Sequence, residues 1–440
     1  MKRILASLFF LICTSATVAL GAEAPSNQEQ KMMPSENIIS SHNIQESGNT
    51  EDAGLLFLEW PENPDAVWYS LQIIPQVSYF GHEEIRPAIY EDPHVFRNGV
   101  IIDSGIWKNY RGPGKLYWRV RAVNLDREVI SSYSVPAELE ATAKKPDRYA
   151  PVSRVKYHEG NGTVLLYPAY SFVKIPGAAS YEVEITDEEP ENPRGAEPSV
   201  HRIDSGRVVI PELFDTTPRL GTIYWRVRGL DADGGPVGEW SRAQKIVNDT
   251  EEDWKVGILG DSISHGGGRM SYSPADWPYN YASYLDFPTM NMSRSGDESH
   301  MIVERFERDV LPFHVETLLI MAGTNNLRRG GSPEEAIRDL ELLQEKCRAH
   351  GILPVLLTLP PLNPGNIMKY YHQETAEHWK ESFDTVNAWI RTQIHIDTAK
   401  PFEAYDEMPT ELAADGLHPD WRAKKQIAEV INQEFPQVRK

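Results

Sequence analysis

Cysteine is nearly absent. The 440 residues hold two, Cys13 and Cys347, and no Cys/His cluster has the spacing of a zinc site. Once an N-terminal segment containing Cys13 is set aside, Cys347 has no partner for an internal disulfide. It falls on the stripe Ala336, Leu340, Leu343, Cys347, whose helical period marks it as a small core residue. Positive charge is also scarce. Against 64 Asp and Glu stand 44 Lys and Arg, for a formal charge of -20. A nucleic-acid partner calls for a basic face, so that class is set aside. Polyanionic substrates and anionic membrane surfaces are disfavoured for the same reason. The Gly-rich phosphate loop with its Lys is missing. Beyond the N-terminus no apolar run is long enough to span a bilayer. No cofactor and no metal are expected.

What is present begins with a secretory signature. Lys2 and Arg3 precede the mostly apolar Ile4 to Val18, and Ala19-Leu20-Gly21-Ala22 offers small residues for cleavage. Residues 1–22 read as a signal peptide, which implies a secreted, periplasmic or cell-surface protein. Bulky Ile12 and the early position of Cys13 disfavour a lipid anchor there. Residues 23–52 are rich in Ser, Asn, Gln and Glu without an apolar period, and read as a flexible leader. The remaining length fits roughly two to four domains.

A domain-scale repeat follows. Leu116-Tyr117-Trp118-Arg119-Val120-Arg121-Ala122 returns as Ile223-Tyr224-Trp225-Arg226-Val227-Arg228-Gly229. Ile-Asp-Ser-Gly precedes each copy, at residues 102–105 and 203–206. Trp68 to Ile73 pairs with Ser180 to Ile185 in the same order. Leu116, Trp118, Val120 and Ala122 alternate with Tyr117, Arg119 and Arg121, the period of a strand with one buried face. Short strands between Gly, Pro, Asn and Asp clusters predict two antiparallel sandwiches, at 53–146 and 150–248. The Tyr-Trp-Arg-Val-Arg strand and the later Ser-Tyr-Ser or Glu-Trp-Ser strand resemble fibronectin type III-like domains. Such a fold implies a spacer or docking module, or a carbohydrate- or protein-binding one.

From Trp254 the pattern changes. Val256, Ile258 and Leu259, then Thr317 to Ala322, then Ile352 to Leu359 form near-continuous apolar runs, as parallel strands covered on both faces do. Ser332-Pro333-Glu334-Glu335 is a capping box opening a helix that ends near His350-Gly351. A further helix is expected from about Glu374 to Thr392. The alternation predicts a doubly wound α/β domain with a parallel sheet over 253–440.

Four segments of this region carry chemistry: Gly260-Asp261-Ser262, Asn291 to Asp297 with Gly296, Gly323-Thr324-Asn325-Asn326, and Asp415-Gly416-Leu417-His418. Three follow predicted strands, so they share the rim where open parallel sheets build their sites. Ser262 is the candidate nucleophile and His418 its base, because imidazole titrates near neutral pH. Asp415 would hold the imidazole tautomer, and Pro419 suits a helix start beside it. The N–H groups of Ser262 and Gly296 and the Asn325 amide are the candidate oxyanion donors. Asp261 reads as a turn residue. His265, His300, His372 and His378 lack a carboxylate at matching spacing and read as surface or loop residues. His265-Gly266-Gly267-Gly268 follows the serine, and no Gly-x-Ser-x-Gly occurs, which excludes an α/β-hydrolase elbow. The glycines read as a mobile loop beside the nucleophile.

Taken together the four segments resemble the blocks of the SGNH (GDSL-type) hydrolase superfamily, over roughly residues 254–440. The resemblance implies a flavodoxin-like three-layer fold and a serine esterase with Ser262, Asp415 and His418 as its triad. It implies an oxyanion hole of Ser262, Gly296 and Asn325. Members often carry Asp where this chain has Asn326, which puts the supporting hydrogen bonds of that loop in question. The expected reaction is hydrolysis of a short acyl ester, foremost acetyl, on a carbohydrate or other small ester substrate. Trp277, Tyr279, Tyr281 and Tyr284 either stack on sugar rings or pack the first helix. A lysophospholipase or thioesterase acting on longer chains is the alternative, and a catalytically inactive surface-binding protein a third.

Overall fold

The computed structural model describes residues 54–79, 81–154, 164–267 and 273–438. The signal peptide and leader expected at 1–22 and 23–52 lie outside the described residues.

The N-terminal half is mostly β, in two units. In the first, Trp68–Tyr79 is the central strand of a five-stranded antiparallel sheet, flanked by Lys115–Val123 on one side and by His82–Ile85 and Tyr90–Val95 on the other. Leu55–Glu59 and Gly99–Asp103 form a separate pair. Period two holds as expected, with Trp118, Val120 and Ala122 buried. In the second unit Ser180–Thr186 lies between Arg202–Val208 and Gly221–Leu230, opposite the small sheet of Glu212–Phe214, Ala169–Val173 and Val152–Ser153.

The repeat is imperfect in space. Ile73 pairs with Trp118 and Ile185 with Trp225, so those markers are equivalent. The Ile-Asp-Ser-Gly copies are not. The first ends the strand paired with Leu55–Glu59, while the second lies inside the strand paired with Ser180–Thr186. The two units also share apolar surface. Leu55, Phe57 and Ile101 pack into the second unit's core, whereas Leu58 and Ile102 face the first.

The C-terminal region is α/β. Five parallel strands, β1 (Val256–Gly260), β2 (Met290–Asn291), β3 (Thr317–Met321), β4 (Leu353–Leu357) and β5 (His395–Ile396), run in the order β2-β1-β3-β4-β5. The reversal of strand order leaves a crevice at the carboxyl ends of β1 and β3. Seven helices connect and follow them among the described residues: α1 (Ser262–His265), α2 (Ser299–Val310), α3 (Thr324–Arg328), α4 (Pro333–Ala349), α5 (Pro364–Tyr371), α6 (Trp379–Ile390) and α7 (Trp421–Val438). Every residue of β1 and β3 is buried, as strands covered on both faces must be. Ser332 caps α4 by accepting from the N–H groups of Glu334 and Glu335, and Cys347 packs in the core. The helix expected from Glu374 begins instead at Trp379, and α5 precedes it.

One segment crosses the expected boundary. Residues 164–167 lie before the second β unit's first long strand, yet they join the parallel sheet. Leu165 bridges Asn291 in parallel. The Leu166 N–H donates to Asn291 O (2.8 Å), and the Asn291 N–H to Val164 O (3.1 Å). Val164, Leu166 and Tyr167 are buried in the α/β core. The short edge strand β2 is thereby covered on its open side.

Candidate active site

β1 delivers the nucleophile. Gly260 ends the strand, where a Cβ would come within 2.5 Å of Met321 O on β3. A larger residue would push the two strands apart. Asp261 follows and accepts from the Ile263 N–H (2.9 Å), capping α1. The turn residue expected there is thus a helix cap, and Ser262 is the first residue of the helix.

His418 lies across the crevice. Its Nε2 is 3.0 Å from Ser262 Oγ, and its Nδ1 is 2.8 Å from Asp415 Oδ2. A carboxylate only accepts, so Nδ1 carries the hydrogen and Nε2 offers its lone pair to the serine hydroxyl. The three residues are buried, with Ser262 and His418 each 6% exposed. Asp415 Oδ1 accepts from the Leu417 and His418 N–H groups, and Oδ2 also from the Tyr371 hydroxyl (2.7 Å). Burial alone would raise this carboxyl. The attraction of His418 when it is protonated, with the hydrogen bonds from His418 and Tyr371, outweighs it and holds the group at about 2. The helix after His418 starts later than Pro419 suggested. Asp420 caps it by accepting from the Arg422 and Ala423 N–H groups.

The oxyanion candidates converge on the same rim. The loop after β2 is tied to β1 where the Arg294 N–H meets Gly260 O (3.0 Å). Gly296 turns there at φ 89°, a left-handed conformation that favours glycine. Buried Arg305 braces the loop by donating to Asp297 Oδ2 (2.6 Å), Met292 O (2.6 Å) and Gly260 O (3.1 Å). Asn325 opens into the crevice from α3. Its Nδ2 donates to Asp297 O (2.9 Å) and its Oδ1 accepts from Arg328 Nε (3.1 Å). Arginine only donates, so Arg328 fixes which way the amide faces and leaves one Nδ2 hydrogen for a ligand. Asn326, the departure from the superfamily pattern, accepts from the Ser299 N–H at the start of α2 (2.8 Å). An Asp would make the same bond.

Four residues that sequence reasoning missed support this centre. Tyr371 holds Asp415, and Arg328 holds Asn325. His265, expected at the surface or in a loop, is 1% exposed. Its Nε2 donates to Tyr167 O (2.6 Å), so its Nδ1 accepts from Ser295 Oγ (2.8 Å), beside Gly296. Burial drives its pKa down to about 4, and the ring stays neutral. Lys424 is fully buried and donates to Ile263 O in α1. Burial lowers it to about 7, with Asp261 and Asp415 opposing. Burial likewise raises Asp261 to about 6. Of these, only Arg328, three residues after Asn325 on a helix, had a spacing signal. Tyr281 is wholly buried and Tyr279 nearly so, while Tyr284 packs against the core. Core packing therefore accounts for these three. The Trp277 side chain and Gly268 lie outside the described residues. Gly266 and Gly267 close α1, their N–H groups meeting Ser262 O.

A hydroxyl, an imidazole and a buried carboxylate in line, with Gly296 and the Asn325 amide on the same rim, suit a serine hydrolase. The sequence profile of the GDSL-like Lipase/Acylhydrolase family matches residues 258–425. The α/β region therefore belongs to the GDSL-like lipase/acylhydrolase family, a class of serine hydrolases that cut ester bonds. The chain is 27% identical over 189 residues to the Thioesterase 1/protease 1/lysophospholipase L1 of Escherichia coli K12, covering 40% of this chain and 84% of that one. Similar solved structures include a GDSL-like lipase from Bacteroides thetaiotaomicron (16% identity, TM-score 0.35, 43% of this chain and 90% of that one). A putative acylhydrolase from Bacteroides fragilis is another (17%, TM-score 0.36, 43% and 90%).

Proposed function

We propose that the protein is a secreted serine esterase that removes short acyl groups, foremost acetyl, from a carbohydrate. The observation that carries the chemistry is the chain Ser262 Oγ to His418 Nε2 (3.0 Å) and His418 Nδ1 to Asp415 Oδ2 (2.8 Å). In this reading Nε2 takes the hydroxyl proton as Ser262 Oγ attacks the ester carbonyl. The Ser262 and Gly296 N–H groups and the free Asn325 amide hydrogen receive the oxyanion. The tetrahedral intermediate collapses, the imidazolium gives its proton to the leaving alkoxide, and an acyl-serine remains. Water, deprotonated by His418, attacks that ester, and collapse of the second intermediate returns the proton to Ser262 and releases the acid.

The polar surroundings of the base support a short acyl group. Tyr371, Arg328 and Gln373 form a polar group behind the base and Asn325, with Arg328 bonding Gln373 (3.1 Å). Such a wall favours a compact polar ester over a long apolar chain. The N-terminal signature supports secretion. The two sheets of each β unit, and the matched Ile-to-Trp strand pairs, support reading those units as fibronectin type III-like, which suits a polymeric substrate. The name of the Escherichia coli relative favours a second reading, a thioesterase or lysophospholipase. Acetate release from a panel of acetylated glycans, with Ser262→Ala as control, tests the first reading. Faster turnover of decanoyl than of acetyl esters would replace it with the second.

A further inference from the structure

Among the described residues, the first β unit touches the α/β region repeatedly, and its polar contacts fall around the rim that carries Ser262. Asp65 takes bidentate hydrogen bonds from Arg422 (2.7 and 2.8 Å) and a third from the Trp421 indole N–H (3.0 Å). Asp126 meets Lys369 and the Tyr370 hydroxyl. The Tyr279 hydroxyl donates to Pro64 O (2.9 Å), and Arg97 pairs with Asp276 (2.6 Å). Residues 276–279 belong to the segment after the nucleophile. Lys369 and Tyr370 adjoin Tyr371, whose hydroxyl holds Asp415. Trp421 and Arg422 begin α7, three and four residues after His418.

Asp65 and Asp126 come from one end of one sheet. Trp68 pairs with Val123, so the loop before the first strand and the turn after the second lie side by side. The turn is built to present Asp126. The Arg127 N–H donates to Asn124 O and the Glu128 N–H to Asn124 Oδ1, with Arg127 at φ 64°. This sheet end therefore spans from α5 to α7, the two elements that flank the Asp415–His418 pair. A spacer would serve equally well docked anywhere on the surface. This unit is docked on α5, the start of α7 and residues 276–279, elements beside the rim where ligands of such sheets bind. Ser262 and His418 are each 6% exposed.

We propose that this end of the first β unit is the acceptor-side wall of the active site, so that an acyl acceptor reaches Ser262 only as a narrow, extended chain. The inference rests on Ser262 being the nucleophile. The partly exposed rings of Tyr370 and Trp421 stand at the two clamp points, and flat rings of this kind suit a saccharide acceptor. The wall, rather than the triad, then sets acceptor size.

The test is covalent labelling of the full chain with two fluorophosphonates, one with small alkyl groups and one bearing a bulky polymer tail, read by mass spectrometry at Ser262. Asp65→Ala with Asp126→Ala opens both clamps. Lys369→Ala opens one of them from the opposite side, and thermal unfolding checks that each variant is folded. The expected result is a rise of at least tenfold in the bulky-to-small rate ratio in the double variant, a smaller rise in Lys369→Ala, and an unchanged small-reagent rate. An unchanged ratio overturns the wall. So does an equal fall in both rates, which would make the clamp a support for His418 alone. Failure of the small reagent to label Ser262 in the parent protein refutes instead the nucleophile assignment on which the wall depends.

Discussion

Consider a fragment that starts at Trp254, where the sequence pattern turns from β to α/β. It keeps Ser262, Asn325, Asp415 and His418 but loses residues 164–167. Two backbone hydrogen bonds to Asn291 go with them, at about 1 kcal/mol each. Val164 and Leu166 leave the core, at roughly 1.5–3 kcal/mol each. Fully buried Tyr167 leaves as well, and loss of a large aromatic costs about 3–5 kcal/mol. The sum is on the order of 10 kcal/mol, close to the whole stability of an ordinary domain, about 5–15 kcal/mol. His265 also loses the carbonyl that fixes its tautomer, and with it the brace on the oxyanion loop. The fragment should be unfolded or aggregated at 25 °C. Urea unfolding followed by tryptophan fluorescence and far-UV circular dichroism checks this. Within the full chain, Leu166→Ala should cost about 3 kcal/mol, although the residue lies outside the α/β span. A fragment that unfolds cooperatively near the full-length midpoint and turns over esters normally would refute the reasoning.

Three other outcomes are expected. Asn325→Ala should lower kcat about 10²–10³-fold with little change in KM, because its amide is engaged by the transition state and not by the ground-state ester. Tyr371→Phe removes one of the donors to Asp415 and should lower kcat about 10- to 100-fold in steady-state assays, since a hydrogen bond to a charged group carries roughly 1.5–3 kcal/mol. His265 gives a pH dependence. Its folded pKa of about 4 lies below the ordinary 6.5, so between those values only the unfolded chain binds the extra proton. Stability should therefore rise with pH across that window by about 3 kcal/mol. Asp261, raised to about 6, acts with opposite sign over an overlapping range. The difference between parent and His265→Gln isolates the histidine, and urea midpoints at pH 4.5 and 6.5 measure it. An equal pH slope in both proteins would contradict the assignment.

The meeting of Ser262, His418 and Asp415 on one rim was readable because the signals are local. Gly260-Asp261-Ser262, Gly296, Asn325 and the pair Asp415 and His418 each follow a strand or precede a helix, and strand ends can be found from apolar runs. The parallel sheet itself was readable from the same apolar runs, although its strand order was not. What stayed hidden depends on partners far along the chain that carry no side-chain signature. His265 was misread because one of its partners is the backbone carbonyl of Tyr167, 98 residues away. The bridging segment at 164–167 escaped notice because it is too short to show a period and adds to a sheet that begins at Val256. Tyr371 and the Asp65 and Asp126 clamps depend on how separate units dock, which periodicity does not report. Asp261 was half-read: the turn was right, and the cap of α1 is what that turn does. The Ile-Asp-Ser-Gly copies show the opposite error, an identity in sequence that the two units place in different strands.

The central claim is that Ser262, driven by His418, forms the acyl-enzyme. The direct measurement is peptide mass spectrometry after rapid quenching during turnover of a 4-nitrophenyl acetate burst. One added acetyl group is expected on the peptide holding Ser262 in the parent protein. None is expected in Ser262→Ala, and a much slower appearance in His418→Ala. An acetyl group carried elsewhere, or a full burst in Ser262→Ala, would contradict the claim.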